Sequence, residues 1–172
     1  EFDEPSCSIV KHTNPCGVAT GNDIKEAYMK AFSTDTVSPF GGIVIVNRKI
    51  DMAAAEEIDK IFTEIVIAPF YDEDALSFLF KKKNRRVIKF TKPDINFDNE
   101  LRSVTGGLLL QDRDKLVVNE SEMKIVTERK PNDNELRDMI FAMKVCKHTK
   151  SNAVIYAKKG QTCGIGGGQP SR

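Results

Sequence analysis

Short apolar runs alternate with helix-length amphipathic segments through the first half of this chain, and few architectures accept that order. Cys7, Ser8, Ile9 and Val10 read as a short buried strand. Asn22 or Asp23 can then cap a helix that places Ile24, Ala27, Tyr28 and Ala31 on one face. Residues 43–46 form a continuous apolar strand, Asp51 can cap a helix carrying Ala54, Ile58 and Ile61, and residues 64–68 give another strand that stops at Pro69. Leu76, Leu79 and Phe80 mark a further helix, and residues 86–90 a further strand. Strand and helix in turn predict an α/β sheet with helices packed on its faces. The polar stretch 91–100, with Pro93 inside it, reads as a connection.

Beyond it a second unit begins. Gly106-Gly107 leads into Leu108, Leu109 and Leu110, after which residues 111–114 turn the chain. Pro131-Asn132 introduces a long helix whose Leu136, Met139, Ile140, Met143 and Lys147 recur at helical spacing, the methionines as core filling and the lysine with its stem along the core edge. Residues 153–157 and 161–164 read as two more strands. A chain of 172 residues is long enough to bury a sizeable core, as one domain or a domain and a half.

Charge excludes more than it selects. With 26 basic and 25 acidic residues the net charge is +1, which argues against a general nucleic-acid surface. Lys81-Lys82-Lys83 and Arg85-Arg86 form the main basic run, and they follow the acidic helix start Asp72-Glu73-Asp74, so the helix dipole accounts for them. No apolar run approaches the ~20 residues that cross a bilayer and no signal peptide is seen, so cytoplasm is the expected location. The four cysteines, Cys7, Cys16, Cys146 and Cys163, contain no Cys-x-x-Cys pair, so no zinc site is expected and all four read as reduced, mostly buried small residues.

Two segments carry chemistry. In Lys11-His12-Thr13-Asn14-Pro15-Cys16-Gly17 a cationic amine and one of only two histidines stand where the first strand gives way to a loop, with Asn14-Pro15 and Gly17 as turn punctuation. A histidine with an ordinary pKa near ~6.5 moves protons at neutral pH, and a neighbouring lysine can stabilise negative charge or hold a phosphate. On an open α/β sheet such a pair is expected in a cleft beyond the carboxyl ends of the strands. At the other end, Gly164-Ile165-Gly166-Gly167-Gly168 allows close backbone approach to a ligand, and Arg172 offers a planar fork for phosphate or carboxylate. The glycines match neither the Walker nor the Rossmann spacing.

These two segments, together with Ser38-Pro39-Phe40-Gly41-Gly42-Ile43-Val44, residues 102–114 and Lys150-Ser151-Asn152-Ala153, stand in the order found in one family. The chain resembles, over nearly its whole length, the formyltransferase domain of the bifunctional purine-biosynthesis enzymes that join AICAR transformylase to IMP cyclohydrolase. Pro39 and Pro170 depart from the family's usual residues. The resemblance implies a cytidine-deaminase-like three-layer α/β/α fold, with residues 1–100 as a first transformylase subdomain and 101–172 as a connecting segment and the truncated start of a second. It implies a fragment of a longer enzyme, with a cyclohydrolase domain elsewhere in the parent. The implied reaction moves a formyl group from 10-formyltetrahydrofolate, as co-substrate, to the amine of AICAR. His12 would be the base and Lys11 the oxyanion stabiliser, with Gly41, Glu64, Asn152 and Arg172 binding substrate. A homodimer with sites between subunits is implied as well, and a monovalent cation near residues 149–152. Two other classes stay open at this point: a binding or scaffolding α/β domain without catalysis, and a nucleoside deaminase, against which the absent zinc-ligand motifs count.

Overall fold

A computed structural model describes residues 1–91 and 98–171. Five strands form the main sheet in the order β2-β1-β3-β4-β5: β1 (Ser6–Lys11), β2 (Asn14–Thr20), β3 (Gly42–Val46), β4 (Thr63–Ala68) and β5 (Arg86–Lys89). β1 runs antiparallel to both of its neighbours, whereas β3, β4 and β5 are parallel. The mixed α/β class expected from the sequence is therefore present.

Helices α1 (Ile24–Thr34), α2 (Met52–Asp59) and α3 (Glu73–Leu79) link these strands. Their starts are set locally. Asp23 Oδ1 accepts from the Glu26 amide at 2.7 Å and Asp51 Oδ1 from the Ala54 amide at 2.8 Å, which satisfies donors that the first helical turn leaves free. Cys7, Ile9, Val44, Val46, Val66 and Ala68 alternate along their strands and so share one sheet face, where they pack against Ala27, Tyr28, Ala31, Ala54, Ile58, Ala75 and Leu79. At about 25 cal/mol per Å² of apolar area, this shared core is the main stabilising term. Gly17 sits where β2 crosses α1, and a Cβ there would lie 1.9 Å from the Ala31 carbonyl oxygen, so no side chain fits.

The chain continues as β6 (Asn99–Val104), β7 (Gly107–Asp112), a short 3-10 turn (Glu120–Glu122), α4 (Asp133–Lys147), β8 (Val154–Ala157) and β9 (Thr162–Gly166). Asn132 and Glu135 close a capping box at the start of α4. Val18, on the face of β2 opposite Ala19, packs with Phe141 and Val145 of α4 and with Ile155 and Ile165 of β8 and β9. Thr162, wholly buried, accepts from the Val18 amide at 2.9 Å and donates to its carbonyl at 3.0 Å, so β9 is docked on the edge of β2.

Several expectations need correction. Residues 14–17 are not a loop but the start of β2, an edge strand that tolerates Pro15, and Cys16 is the extra residue of a bulge between Ile9↔Gly17 and Val10↔Pro15. Strand β6 went unforeseen. On α4 the buried stripe is Phe141 and Val145, while Met139 and Met143 are exposed, because Val18 and Phe2 select the other apolar stripe of the helix. Phe80 is exposed too, lying just beyond α3. Only Cys7 of the cysteines is fully buried, and Cys163 is exposed. Within the basic run, Lys82 and Arg85 both pair with Asp59, at 2.9 and 2.8 Å, and Arg86 with Glu64, so ion pairs hold these residues rather than the helix dipole. Of the connection expected at 91–100, Pro93 lies outside the described residues, and Asn99 and Glu100 already belong to β6. No described helix is long and apolar enough to cross a membrane.

Candidate active site

β1 and β2 are joined by a two-residue turn in which both His12 and Thr13 have positive φ, 53° and 64°. Such a turn matches the twist of its strands but normally uses Asn or Gly, because a Cβ in this region costs roughly 1–2 kcal/mol per residue. His12 is exposed at the tip of this turn. Non-glycine residues held this way concentrate at functional sites.

Lys11, the last residue of β1, donates from Nζ to the Phe40 carbonyl at 2.8 Å. That carbonyl belongs to the turn before β3, where Gly41 has φ 70° and its amide donates to the Phe62 carbonyl at 2.7 Å. Phe40 is 63% exposed, with its ring 5.5 Å from that of Phe62. Asp35 stands nearby. Hydrogen bonds from Ser38 and from the Val37 amide, helped by the Lys11 charge, hold its carboxyl below the usual carboxylate range. Burial, together with the Asp35 charge, pushes the Cys16 thiol up against the opposing pull of Lys11, so Cys16 stays a thiol at neutral pH and does not suit a nucleophile.

Asn14 ties this hairpin to the far end of the chain, its Oδ1 accepting from the Lys150 amide at 2.9 Å. Lys150 in turn accepts from the Gly168 amide at 2.6 Å, and Asn152 exchanges hydrogen bonds with Gln169, 3.1 Å at its carbonyl and 3.2 Å from its Nδ2. A cleft of about 610 Å³ opens beside this junction, lined by Asn14, Cys16, Thr34, Asp35, Ser38 and Gly167. A larger groove of about 1060 Å³ runs between α4 and β8, and Lys11, His12, Gly41, Glu64 and Asn152 line neither this groove nor the cleft, so the cleft expected at Lys11 and His12 lies beside them and is not lined by them.

Lys11, His12 and Gly41 thus come together, and Asn14 brings the Asn152 loop beside them. Glu64 lies on the same rim, at the start of β4, but its carboxylate is occupied by Arg86 at 2.8 Å. Arg172 lies outside the described residues. The rim itself differs from expectation. Because β1 runs against β3, β4 and β5, its carboxyl end meets their amino ends, opposite to the rim that open parallel sheets usually use. Sequence reasoning missed Asn14 as a contact-making residue and missed Arg86 as the partner of Glu64. The first had a signal in the Lys-His-Thr-Asn run, where Asn14 looked like turn punctuation alone. Among the described residues no three His, Cys, Asp or Glu side chains converge as metal ligands.

The chain is similar to known proteins along its full length. A family model described as AICARFT/IMPCHase bienzyme matches residues 1–172. A protein of Caldicellulosiruptor saccharolyticus named bifunctional purine biosynthesis protein PurH is 54% identical over 175 residues, covering 100% of this chain and 34% of that protein. Proteins of the same name from Chlorobium phaeobacteroides and Clostridium perfringens are 52% and 54% identical, covering 98% and 100% of this chain and 32% and 34% of theirs. The chain spans about a third of the length of the curated relatives it matches.

Proposed function

The chain belongs to the AICARFT/IMPCHase bienzyme family, and from that premise we propose that it is part of a formyltransferase acting on AICAR in purine biosynthesis. What supports this reading most directly is the meeting of Lys11, His12, Gly41 and the Asn152 loop at one rim of the sheet. The donor is 10-formyltetrahydrofolate. The AICAR amine attacks the formyl carbon, the carbonyl electron pair moves onto oxygen, and the bond from carbon to N10 of the folate then breaks. One C–N bond forms and one is lost, while a proton leaves the amine and another arrives at N10.

His12, exposed on its strained turn, takes the amine proton. The Lys11 ammonium has donors beyond the one given to Phe40 and stabilises the oxyanion, a contribution worth about 3 kcal/mol per donor. Gly41 allows close approach of the ribotide, Asn152 and Arg172 are polar contacts to it, and Glu64 accepts from substrate after leaving Arg86. That exposed pair costs little to exchange, roughly 0–1 kcal/mol. We further propose a cytidine-deaminase-like three-layer arrangement with a first subdomain over 1–100 and the start of a second over 101–172. A cytoplasmic homodimer with sites between subunits, a monovalent cation near residues 149–152 and a cyclohydrolase activity elsewhere in the longer protein complete the reading.

The test is AICAR-dependent release of tetrahydrofolate by the product of the whole reading frame that encodes this chain. The expected result is activity that His12→Ala lowers by about a hundredfold or more, that Lys11→Ala also lowers, and that His148→Ala leaves in place. His148 ends α4, where its Nε2 lies 3.1 Å from Glu1 Oε1. The 172-residue chain alone should turn over little substrate. Full turnover by folded His12→Ala would remove the base assignment, and an inactive wild type would remove the whole reading.

A further inference from the structure

We propose that Asn14 is a positioning residue that fixes the His12 turn against the loop carrying Asn152; the proposal rests on the formyltransferase reading of this site. Both ends of one short amide are used. Asn14 Nδ2 donates to the His12 carbonyl at 3.4 Å, on the turn itself, and Oδ1 accepts from the Lys150 amide at 2.9 Å, a contact across 136 positions of sequence. Asn14 is also the register partner of Lys11, so it closes the hairpin at the level where both chemical groups project.

Among the described residues this is the one hydrogen bond that joins the 11–14 turn to the loops at 149–152 and 166–169. Other hydrogen bonds from β9 and the turn before it to β2 and α1, Thr162 with Val18 and Thr34, Gln161 with Ser33 and Gly160 with Thr20, lie further along the strands. Packing sets the length of the tie. A Cβ on Gly167 would stand 2.8 Å from Thr149 Cγ2 and 3.4 Å from Asn14 Oδ1, so the glycine loop approaches until it touches the amide. From Lys150 the contact passes to Gly168, while Asn152 and Gln169 hold one another. Losing Asn14 frees the His12 turn to move relative to Asn152, and displacements of about 1 Å in a reacting constellation cost on the order of a hundredfold in rate.

Three variants test this in the whole reading frame, read by kcat, KM, thermal melting and amide hydrogen exchange at Lys150. Asn14→Ala should lower kcat by about tenfold to a hundredfold with KM nearly unchanged, and expose the Lys150 amide to exchange. Asn14→Asp keeps an acceptor for that amide but loses the donor to the His12 carbonyl, so it should preserve the protection at Lys150 and recover only part of kcat. Gly167→Ala pushes the same loop away from the other side and should repeat the selective loss in kcat, which keeps the test open even where Asn14→Ala fails to fold. A kcat for Asn14→Ala or Gly167→Ala within about twofold of wild type would overturn the positioning role while leaving the function intact. Asn14→Asp and Asn14→Ala that both keep the Lys150 amide protected and do not differ in kcat would overturn the tie to Lys150 as well. An inactive wild type overturns the underlying reading, and is seen before any variant is compared.

Discussion

The molecule contains two hairpins of similar length that behave as opposites. In β1–β2 the turn is strained at His12 and Thr13, Pro15 interrupts the ladder and Cys16 bulges, yet Cys7, Ile9, Val18 and Ala19 are all buried. In β6–β7 the turn puts its positive φ on Gly106, the register is regular, and Leu108, Leu109 and Leu110 are 70%, 56% and 66% exposed. Local perfection therefore does not decide which hairpin is stable. A lone two-stranded ribbon is marginal in water, whereas a strand fixed from both sides can carry strain that would break it alone.

The sharpest way to break this contrast is by truncation. In the 172-residue chain, Ile9→Ala should lower unfolding stability by about 2–5 kcal/mol, while Leu109→Ala should stay within about 0.5 kcal/mol, as measured by urea denaturation. Equal losses would mean that the second hairpin is packed after all.

A smaller effect compares two aspartates. Asp59 faces Arg85, whose side chain is fully buried, and Asp98 pairs with Lys115 on the surface. Burial pushes the Asp59 carboxyl up, but the positive charges of Lys82 and Arg85 beside it outweigh this and hold the group below the usual carboxylate range. Asp59→Asn should cost about 2–3 kcal/mol at neutral pH, since it leaves a buried guanidinium without its counter-charge. A depressed folded pKa contributes stability above the unfolded value of about 3.9, and that contribution is lost as pH falls through the folded value. The gap between wild type and Asp59→Asn should therefore hold from pH 7 to about 4 and close below it. Asp98→Asn should leave the melting temperature where it was.

The smallest expected change is a gain. Thr13→Gly removes a β-branched residue from φ 64° and should stabilise the chain by about 0.5–1 kcal/mol. A loss of stability would show that the turn is not strained in solution.

What the sequence made legible was what local rules decide. Asp23 and Asp51 cap the helices expected of them, and Ile24, Ala27, Tyr28 and Ala31 are the buried residues of α1, because capping and spacing act within a few residues. Helix α4 carries two apolar stripes, and Val18 and Phe2, far away in sequence, together with Ile155 and Ile165 of β8 and β9, choose Phe141 and Val145 over Met139 and Met143. Strand β6 lies on the surface and so has no buried face to impose alternation. At the site, Lys11 and His12 were visible as chemistry. Their rim was not, since it depends on β1 running against β3, and neither was the contact from Asn14 to Lys150.

That contact has a consequence in time. On the ribosome, β1 to β5 can pair and close their core before Lys150 has been synthesised, because domains fold as units from the amino end. Asn14 then waits without its partner while 136 further positions are added. The His12 turn is made before the Asn152 loop, and it is held against that loop only once the loop docks. The first sheet of a nascent chain would thus be folded well before this junction is assembled, which makes the junction a separate and later event.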